Sequence, residues 1–206
     1  MLDTRSLGMK EGQLYETIIS TRNEDGTPNA APMGIIIKMP CEVVLYLYQG
    51  SLTAKNIMRD GIFTVNILNN PLIFTQCTLS CPPQDSFDQN HEIYYLKSTD
   101  AYFTAEVTKK RKIVRKDDLG ESELTIMQAK VTDVIKLTEC VYPLNRAIYG
   151  IIELLVNLTR MDMATSEAKK IYLDRLEEVS WIVNRVGGKE DKEALKEIRD
   201  KFDQYR

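Results

Sequence analysis

Apolar residues in short runs fill the first two thirds of the chain and predict β-strands. Residues 14–21 are rich in β-branched side chains, which favour strands. A dense turn signal follows at 23–29, where Asp25-Gly26 supplies the positive φ that a hairpin needs. The returning strand is predicted at 30–39, and a third strand at 43–48.

A short helix is predicted next, at 52–60. Ser51 is placed to cap its N-terminus, and Gly61 can close its C-terminus in the left-handed conformation. A buried strand at 62–68 then ends at Asn69-Asn70-Pro71.

The middle of the chain has weaker patterns. Residues 72–79 fit both a helix and a strand, and we favour a helix. Residues 82–100 are polar and begin with prolines, so they are predicted to be mostly loop. Two further strands, at 102–107 and 125–137, are joined by a charged excursion at 109–123. Many short strands with one short helix favour a barrel over a layered α/β sheet.

After Cys140 the apolar period changes to that of helices. Pro143 can begin a helix that runs to about Arg160. Residues 164–186 place apolar side chains on one face, Gly187-Gly188 ends that helix, and 189–205 repeat the pattern thinly. Short connections make these helices antiparallel neighbours. The sequence therefore predicts a β-barrel domain at 1–140 and a small helical domain at 141–206.

Composition and charge narrow the function classes. The 206 residues are 43% hydrophobic and 28% charged, which is ordinary for a globular protein with its own core. A net charge of −3 argues against a nucleic-acid or anionic-membrane partner. No apolar stretch approaches the ~20 residues of a membrane span, so we expect a soluble, cytoplasmic protein.

The cysteines are interpreted as reduced thiols. Four cysteines and one histidine do not form the closed ligand set that zinc requires, so no metal site is predicted.

The most informative stretch opens the helix at 52–60. The first N–H groups of a helix lack internal partners and favour a phosphate, and Gly50 lets the backbone approach closely. Polar side chains surround this turn: Ser51, Thr53, Lys55 and Asn56. A capped surface helix has the same pattern, so the stretch alone leaves both interpretations open.

The second feature is the hairpin at 21–34. Small residues follow Asn29 on the returning strand, and a flat ring can lie against main chain there. Pro32 indicates a strand edge, a bulge or an interrupted ladder. Arg22 can pair with a phosphate through its fork of donors. A plain solvent-facing hairpin is the alternative.

Together these motifs resemble the DUF447 family. The resemblance rests on ETIISTR at 16–22, DGTPNAAPMG at 25–34, SLTAKNI at 51–57, FTVNI at 63–67 with Asn70-Pro71, and residues 145–160 of the tail. That family has no assigned reaction. Its fold is similar to the flavin-reductase-like FMN-binding split barrel, a homodimer with FMN near the interface.

The resemblance implies FMN as cofactor and a set of binding residues. Ser20, Thr21 and Arg22 with Ser51, Thr53, Lys55 and Asn56 would hold the ribityl chain and phosphate, and Ala31, Pro32, Met33 and Gly34 would lie along the ring. Gly50 and Asn29 complete the set. FMN is favoured over FAD because no GxGxxG turn is present.

The function expected is an FMN-dependent oxidoreductase that passes hydride or electrons from a reduced nicotinamide or deazaflavin donor to a small acceptor. A non-enzymatic flavin carrier or sensor, and a scaffold without cofactor, are the alternatives. No catalytic residue is evident. Arg146 and Glu153 can reach the site or form a salt bridge, and His91 is interpreted as a solvated loop residue.

Overall fold

The computed structural model describes residues 3–48, 50–117 and 120–205, and the chain divides into two compact units between Leu144 and Asn145. The first unit is a barrel to which two helices and a short hairpin are added. Its strands and helices are β1 (Leu14–Arg22), β2 (Pro28–Met39), β3 (Glu42–Tyr48), α1 (Leu52–Asp60), β4 (Ile62–Ile67), α2 (Pro71–Leu79), β5 (Phe87–Asn90), β6 (Ile93–Leu96), β7 (Ala101–Asp117) and β8 (Gly120–Lys136).

Within the described residues, the barrel closes in the order β1-β2-β3-β8-β7-β4, and every neighbouring pair is antiparallel. Alternate residues point inward because the side-chain period of a strand is two. The interior is filled by large apolar side chains, among them Ile19, Ile35, Leu45, Val65, Phe103 and Met127. The predicted fold class, a β-barrel followed by helices, is confirmed.

The segment at 82–100 is mostly loop, as predicted, except that it contains the β5–β6 hairpin, which the sequence did not predict. Its strands are only four residues long, and its two-residue turn, His91-Glu92, has no glycine. The hairpin forms because Phe87, Tyr94 and Leu96 pack with α2 on the outer wall of the barrel. Tertiary packing of this kind leaves no local signal in the sequence.

The charged excursion at 109–123 is also corrected. The ladder between β7 and β8 continues out to the pair Asp117 and Gly120, so most of the excursion is strand. Residues 118 and 119 lie outside the described residues. The side chains of residues 109–112 are all exposed, so this part of β7 lacks the alternation of buried and exposed positions by which a sequence reveals a strand.

The helix boundaries of this unit agree with the sequence. Ser51 caps α1, and Gly61 closes it with φ 71°. The ambiguous stretch is the helix α2, which begins at Pro71 and is capped by Asn70.

The second unit consists of α3 (Arg146–Leu158), α4 (Ser166–Val186) and α5 (Lys189–Phe202). The predicted start of α3 at Pro143 is wrong by three residues. The side chain of Asn145 accepts a hydrogen bond from the Ala147 N–H at 2.8 Å, and this cap fixes the start of the helix.

The helices of this unit pack through a common core of buried side chains: Ala147, Ile151, Leu154, Leu176, Val183, Leu195, Ile198 and Phe202. Gly150 lets α3 approach α4 closely, because an added Cβ would lie 2.8 Å from a methyl group of Val179. Among the described residues, no helix combines the length and the apolar character needed to cross a bilayer.

Candidate functional site

The N-terminus of α1 offers main-chain donors. The Ser51 Oγ accepts a hydrogen bond from the Ala54 N–H at 3.2 Å, so the side chain of Ser51 serves its own helix. The N–H groups of Leu52 and Thr53 have no acceptor among the described residues. Groups of this kind carry the positive end of the helix dipole and favour an anion.

A buried polar cluster fixes α1 to the first hairpin. The Asn29 side-chain amide donates to the hydroxyls of Thr21 at 3.1 Å and Thr53 at 3.0 Å. The Asn56 amide donates to Thr21 at 3.0 Å and to the Asn23 carbonyl oxygen at 2.9 Å. These side chains are committed to one another, so their first role is to position the helix.

Half of β2 is an open edge. Strand β3 pairs only with residues 35–39 of β2, whereas β1 pairs with 28–36. The segment from Ala31 to Gly34 is half-buried and has one strand neighbour within the described chain. Pro32 therefore stands at an edge, as its missing N–H predicted.

A cavity of about 230 Å³ adjoins the first turn of α1, and we call it the α1 cavity. Gly50 and Lys55 line it together with Tyr48, Met58 and Lys112. Two of these residues are cations, so the cavity favours an anionic group.

A second cavity, of about 190 Å³, lies beneath the tip of the β5–β6 hairpin, and we call it the hairpin cavity. Its lining residues are Ser20, Thr21, Arg22, Asp60, Ile62, Phe63, His91, Glu92, Ile93 and Tyr94. The Arg22 guanidinium lies 3.9 Å from the Glu92 carboxylate. Arg22 thus lies in a different cavity from Gly50 and Lys55, although the sequence grouped all three.

Asp60 belongs to this second cavity and is held ionised. The Arg59 guanidinium donates to its carboxylate at 2.7 Å and lowers the pKa of Asp60, and the charge of Arg22 acts in the same direction. Sequence reasoning missed Asp60, Glu92 and Tyr94, because no pattern predicted the hairpin that brings these elements together.

The remaining candidates are placed as follows. His91 is exposed at the turn of the β5–β6 hairpin, in agreement with a solvated residue, and it also lines the hairpin cavity. Arg146 and Glu153 lie on α3 in the second unit, where Glu153 is 4.0 Å from Arg175. Among the described residues, no group of three or more histidine, cysteine or acidic side chains is arranged to hold a metal ion.

Family models match both units. The model of the N-terminal domain of a protein of unknown function, DUF447, matches residues 15–137, and a second DUF447 model matches 145–200. The chain is 26% identical over 184 residues to the uncharacterized protein MJ1453 of Methanocaldococcus jannaschii, covering 87% of this chain and 93% of the relative.

Two solved structures are similar. The FMN-bound DUF447 protein MM1853 of Methanosarcina mazei is 25% identical with a TM-score of 0.55, covering 97% of this chain and all of that one (100%). The styrene monooxygenase flavin reductase of Pseudomonas putida S12 has a TM-score of 0.50 at 16% identity, covering 66% of this chain and 87% of that one. The second likeness concerns the fold alone.

Proposed function

The chain belongs to the DUF447 family, and from this membership we propose that it is an FMN-binding flavoprotein that works as an oxidoreductase. One observation carries the proposal: a chain similar over 97% of its length to an FMN-bound protein has free N–H groups at the start of α1 beside the open edge of β2.

The residues at this place fit FMN. The N–H groups of Leu52 and Thr53 would bind the phosphate, and the cations Lys55 and Lys112 of the α1 cavity would add to the attraction. The half-buried main chain from Ala31 to Gly34 would bind the polar edge of the isoalloxazine ring. Thr21, Asn29, Thr53 and Asn56 would position these donors through the buried cluster, without each contacting the flavin.

Bound FMN supplies the redox chemistry, since it accepts hydride or electrons from a reduced donor and passes them to an acceptor. The protein holds the ring against a strand edge and excludes water from one of its faces. The donor class we propose is a reduced nicotinamide or deazaflavin, and the acceptor is a small molecule.

We further propose a homodimer. Tyr46 and Tyr48 are 42% and 51% exposed on β3, next to the α1 cavity and a groove of about 650 Å³. Large exposed aromatic side chains are typical of protein–protein interfaces. An interface there would cover the ring of a flavin bound at the β2 edge.

Substitution of Ser51 tests where the phosphate lies. Alanine at Ser51 and Thr53 would not serve this purpose, because Ser51 caps α1 and Thr53 is buried and hydrogen-bonded, so that change would also weaken the fold. Aspartate and asparagine both cap helices as well as serine does. We therefore expect Ser51→Asp and Ser51→Asn to keep the wild-type melting temperature.

The two variants differ in charge, and only the aspartate repels a phosphate. We expect Ser51→Asp to weaken FMN binding about tenfold or more, and Ser51→Asn to change it little. Riboflavin, which lacks the phosphate, should bind both variants as it binds wild type. Flavin fluorescence titration measures all the affinities. Equal FMN affinity in the two variants would place the phosphate elsewhere, and wild-type protein that binds neither flavin would overturn the function.

Stopped-flow reduction tests the enzymatic part. We expect at least one of NADH, NADPH or a reduced deazaflavin to reduce the bound flavin faster than it reduces free FMN. If every donor reduces the bound flavin more slowly than it reduces free FMN, the enzymatic part of the proposal is wrong, and the protein is a flavin carrier or sensor.

A further inference from the structure

The hairpin cavity has features that FMN binding at α1 does not use. Its floor is β1 at Ser20, one side is β4 at Ile62, and its roof is the β5–β6 turn from His91 to Tyr94. These elements lie on the outer wall of the barrel, whereas Gly50 and Lys55 line the α1 cavity. FMN binding at α1 therefore does not account for the hairpin cavity.

Hydrogen-bond donors beneath the cavity lack acceptors. Ser20 is 1% exposed, and its Oγ accepts a hydrogen bond from the Asn66 amide at 2.8 Å. No described residue accepts the proton of the Ser20 hydroxyl. Thr64 lies directly opposite Ser20 in the β1–β4 ladder, is fully buried (0% exposed), and its hydroxyl has no hydrogen-bond partner among the described residues. Buried polar groups are almost always satisfied, and of these two hydroxyls only that of Ser20 lines the cavity, so a ligand that accepts hydrogen bonds would contact Ser20 and not Thr64.

Arg22 adds a cation to the wall of the cavity, and its ion pair with Glu92 is weak. The side chain of Arg22 is 43% exposed, and its carboxylate partner Glu92 is 84% exposed at a distance of 3.9 Å. Exposed ion pairs at such a distance contribute little. An anionic ligand can therefore take the place of Glu92 on the guanidinium.

His91 keeps its side chain at a backbone position that favours glycine. Its φ is +55°, and it is the one non-glycine residue with positive φ in the described chain. Left-handed backbone is unfavourable for residues with a Cβ, and such strain occurs most often at functional sites. The imidazole lines the same cavity as Arg22, so both side chains can contact one ligand.

Size and charge define the ligand. At ~30 Å³ per water molecule, about 190 Å³ holds a molecule the size of a substituted benzene, and not a nucleotide. Ile62, Phe63 and Ile93 provide apolar walls. The charged lining is one cation, Arg22, against the carboxylates of Asp60 and Glu92, so a dianion such as phosphate is disfavoured, and a monoanion binds only where it replaces Glu92 on the guanidinium.

We propose that the hairpin cavity is a second binding site, which takes a small monocarboxylate with an apolar body. Arg22 and His91 bind the carboxylate, the Ser20 hydroxyl donates to it, and the apolar side chains contact the rest of the molecule. The proposal does not depend on FMN binding.

Benzoate is the probe that tests it, with benzamide and inorganic phosphate as controls for charge and shape. By isothermal titration calorimetry or ligand-detected NMR, the full chain should bind benzoate saturably, and should bind benzamide and phosphate at least about tenfold more weakly. Addition of FMN should leave the benzoate affinity within about twofold. Equal binding of benzamide, absence of saturable benzoate binding, or competition between benzoate and FMN would each overturn the proposal.

Variants with opposite expected effects make the test specific. Arg22→Gln should weaken benzoate binding about tenfold, whereas Glu92→Gln should strengthen it a few-fold because it frees the guanidinium. Arg175→Gln, which removes a cation from the second unit, should leave the affinity unchanged. If Arg22→Gln binds benzoate as wild type does, the assignment of the carboxylate site is wrong.

His91→Gly separates binding from folding. The change relieves the backbone and removes the imidazole, so the melting temperature should stay equal or rise while benzoate binding weakens several-fold. Wild-type benzoate affinity in His91→Gly would contradict a binding role for His91.

Discussion

At the scale of single residues, the sequence identified caps and turns correctly but not the partners of polar side chains. The roles of Ser51 and Gly61 as caps of α1 can be predicted from the sequence alone, because a capping residue acts on its own helix. The partners of Thr53 and Asn56 come from strands 24 to 35 positions away, so these residues looked available for a ligand although they are bonded to Asn29 and Thr21. Arg22 was predicted to bind the phosphate, and nothing in the sequence indicated that it also lies 3.9 Å from Glu92.

Cys77 provides a prediction at this scale. Burial raises the pKa of its thiol to about 11 from 9.0. The thiolate is the reactive form, so Cys77 should react with iodoacetamide at pH 8 far more slowly than the exposed Cys81 and Cys140. Mass spectrometry of timed digests measures the three rates.

The same shift has a consequence for stability. Between pH 9 and 11 the unfolded chain releases the Cys77 proton while the folded chain retains it, so this contribution to the free energy of unfolding falls as the pH rises. The free energy of unfolding of Cys77→Ala should fall less than that of the wild type over that range.

The labelling experiment also has an outcome that would contradict the burial of Cys77: a rate equal to that of Cys81 in the folded protein.

At the scale of elements, the sequence predicted those strands and helices that carry their own periodicity. The barrel strands near the core and the three helices of the second unit have it. The β5–β6 hairpin lacks such a periodicity because it forms only by packing against the barrel. The outer β7–β8 ladder lacks it because this ladder is exposed. The hairpin cavity could therefore not be predicted from the sequence, whereas the start of α1 could.

The close approach of α3 and α4 gives the element-scale prediction. Gly150→Ala would gain about 1 kcal/mol in helix propensity but would force a Cβ within 2.8 Å of Val179. Overpacking costs about 1–3 kcal/mol, so we expect a net loss of about 1 kcal/mol. Urea unfolding followed by the fluorescence of Trp181, the single tryptophan of the chain, reports on this unit.

A matched double variant isolates the cause. Val179→Ala alone should destabilise the unit, but Gly150→Ala should cost nothing further in that background, because the added methyl group then has space. Additive losses in the double variant would show that the contact is not the reason for glycine.

At the scale of the whole molecule, the proposed FMN site lies entirely within the first unit, and the position where that unit ends is informative. The sequence placed the boundary after Cys140. Val141 packs against the barrel core, and the Glu16 N–H donates to the Leu144 carbonyl at 2.8 Å. Residues 141–144 therefore contribute to the barrel.

Two truncated chains test this division. A chain ending at Leu144 should fold, bind FMN as the full chain does, and form the proposed dimer in light scattering. A chain ending at Cys140 should be less stable by about 2 kcal/mol, because it loses the packing of Val141 and the hydrogen bond to Leu144. Equal melting temperatures for the two would show that residues 141–144 add nothing. Loss of flavin affinity in the longer piece would mean that the helical unit takes part in binding.

The open half of β2 has one more consequence. Unpaired strand edges invite the strands of other molecules, and proteins with such edges tend to aggregate unless something blocks the ladder. Pro32 stands in the middle of this edge and has no N–H to offer an incoming strand. The residue that would leave room for a flat ring thus also hinders the pairing of another strand with this edge when no ligand covers it.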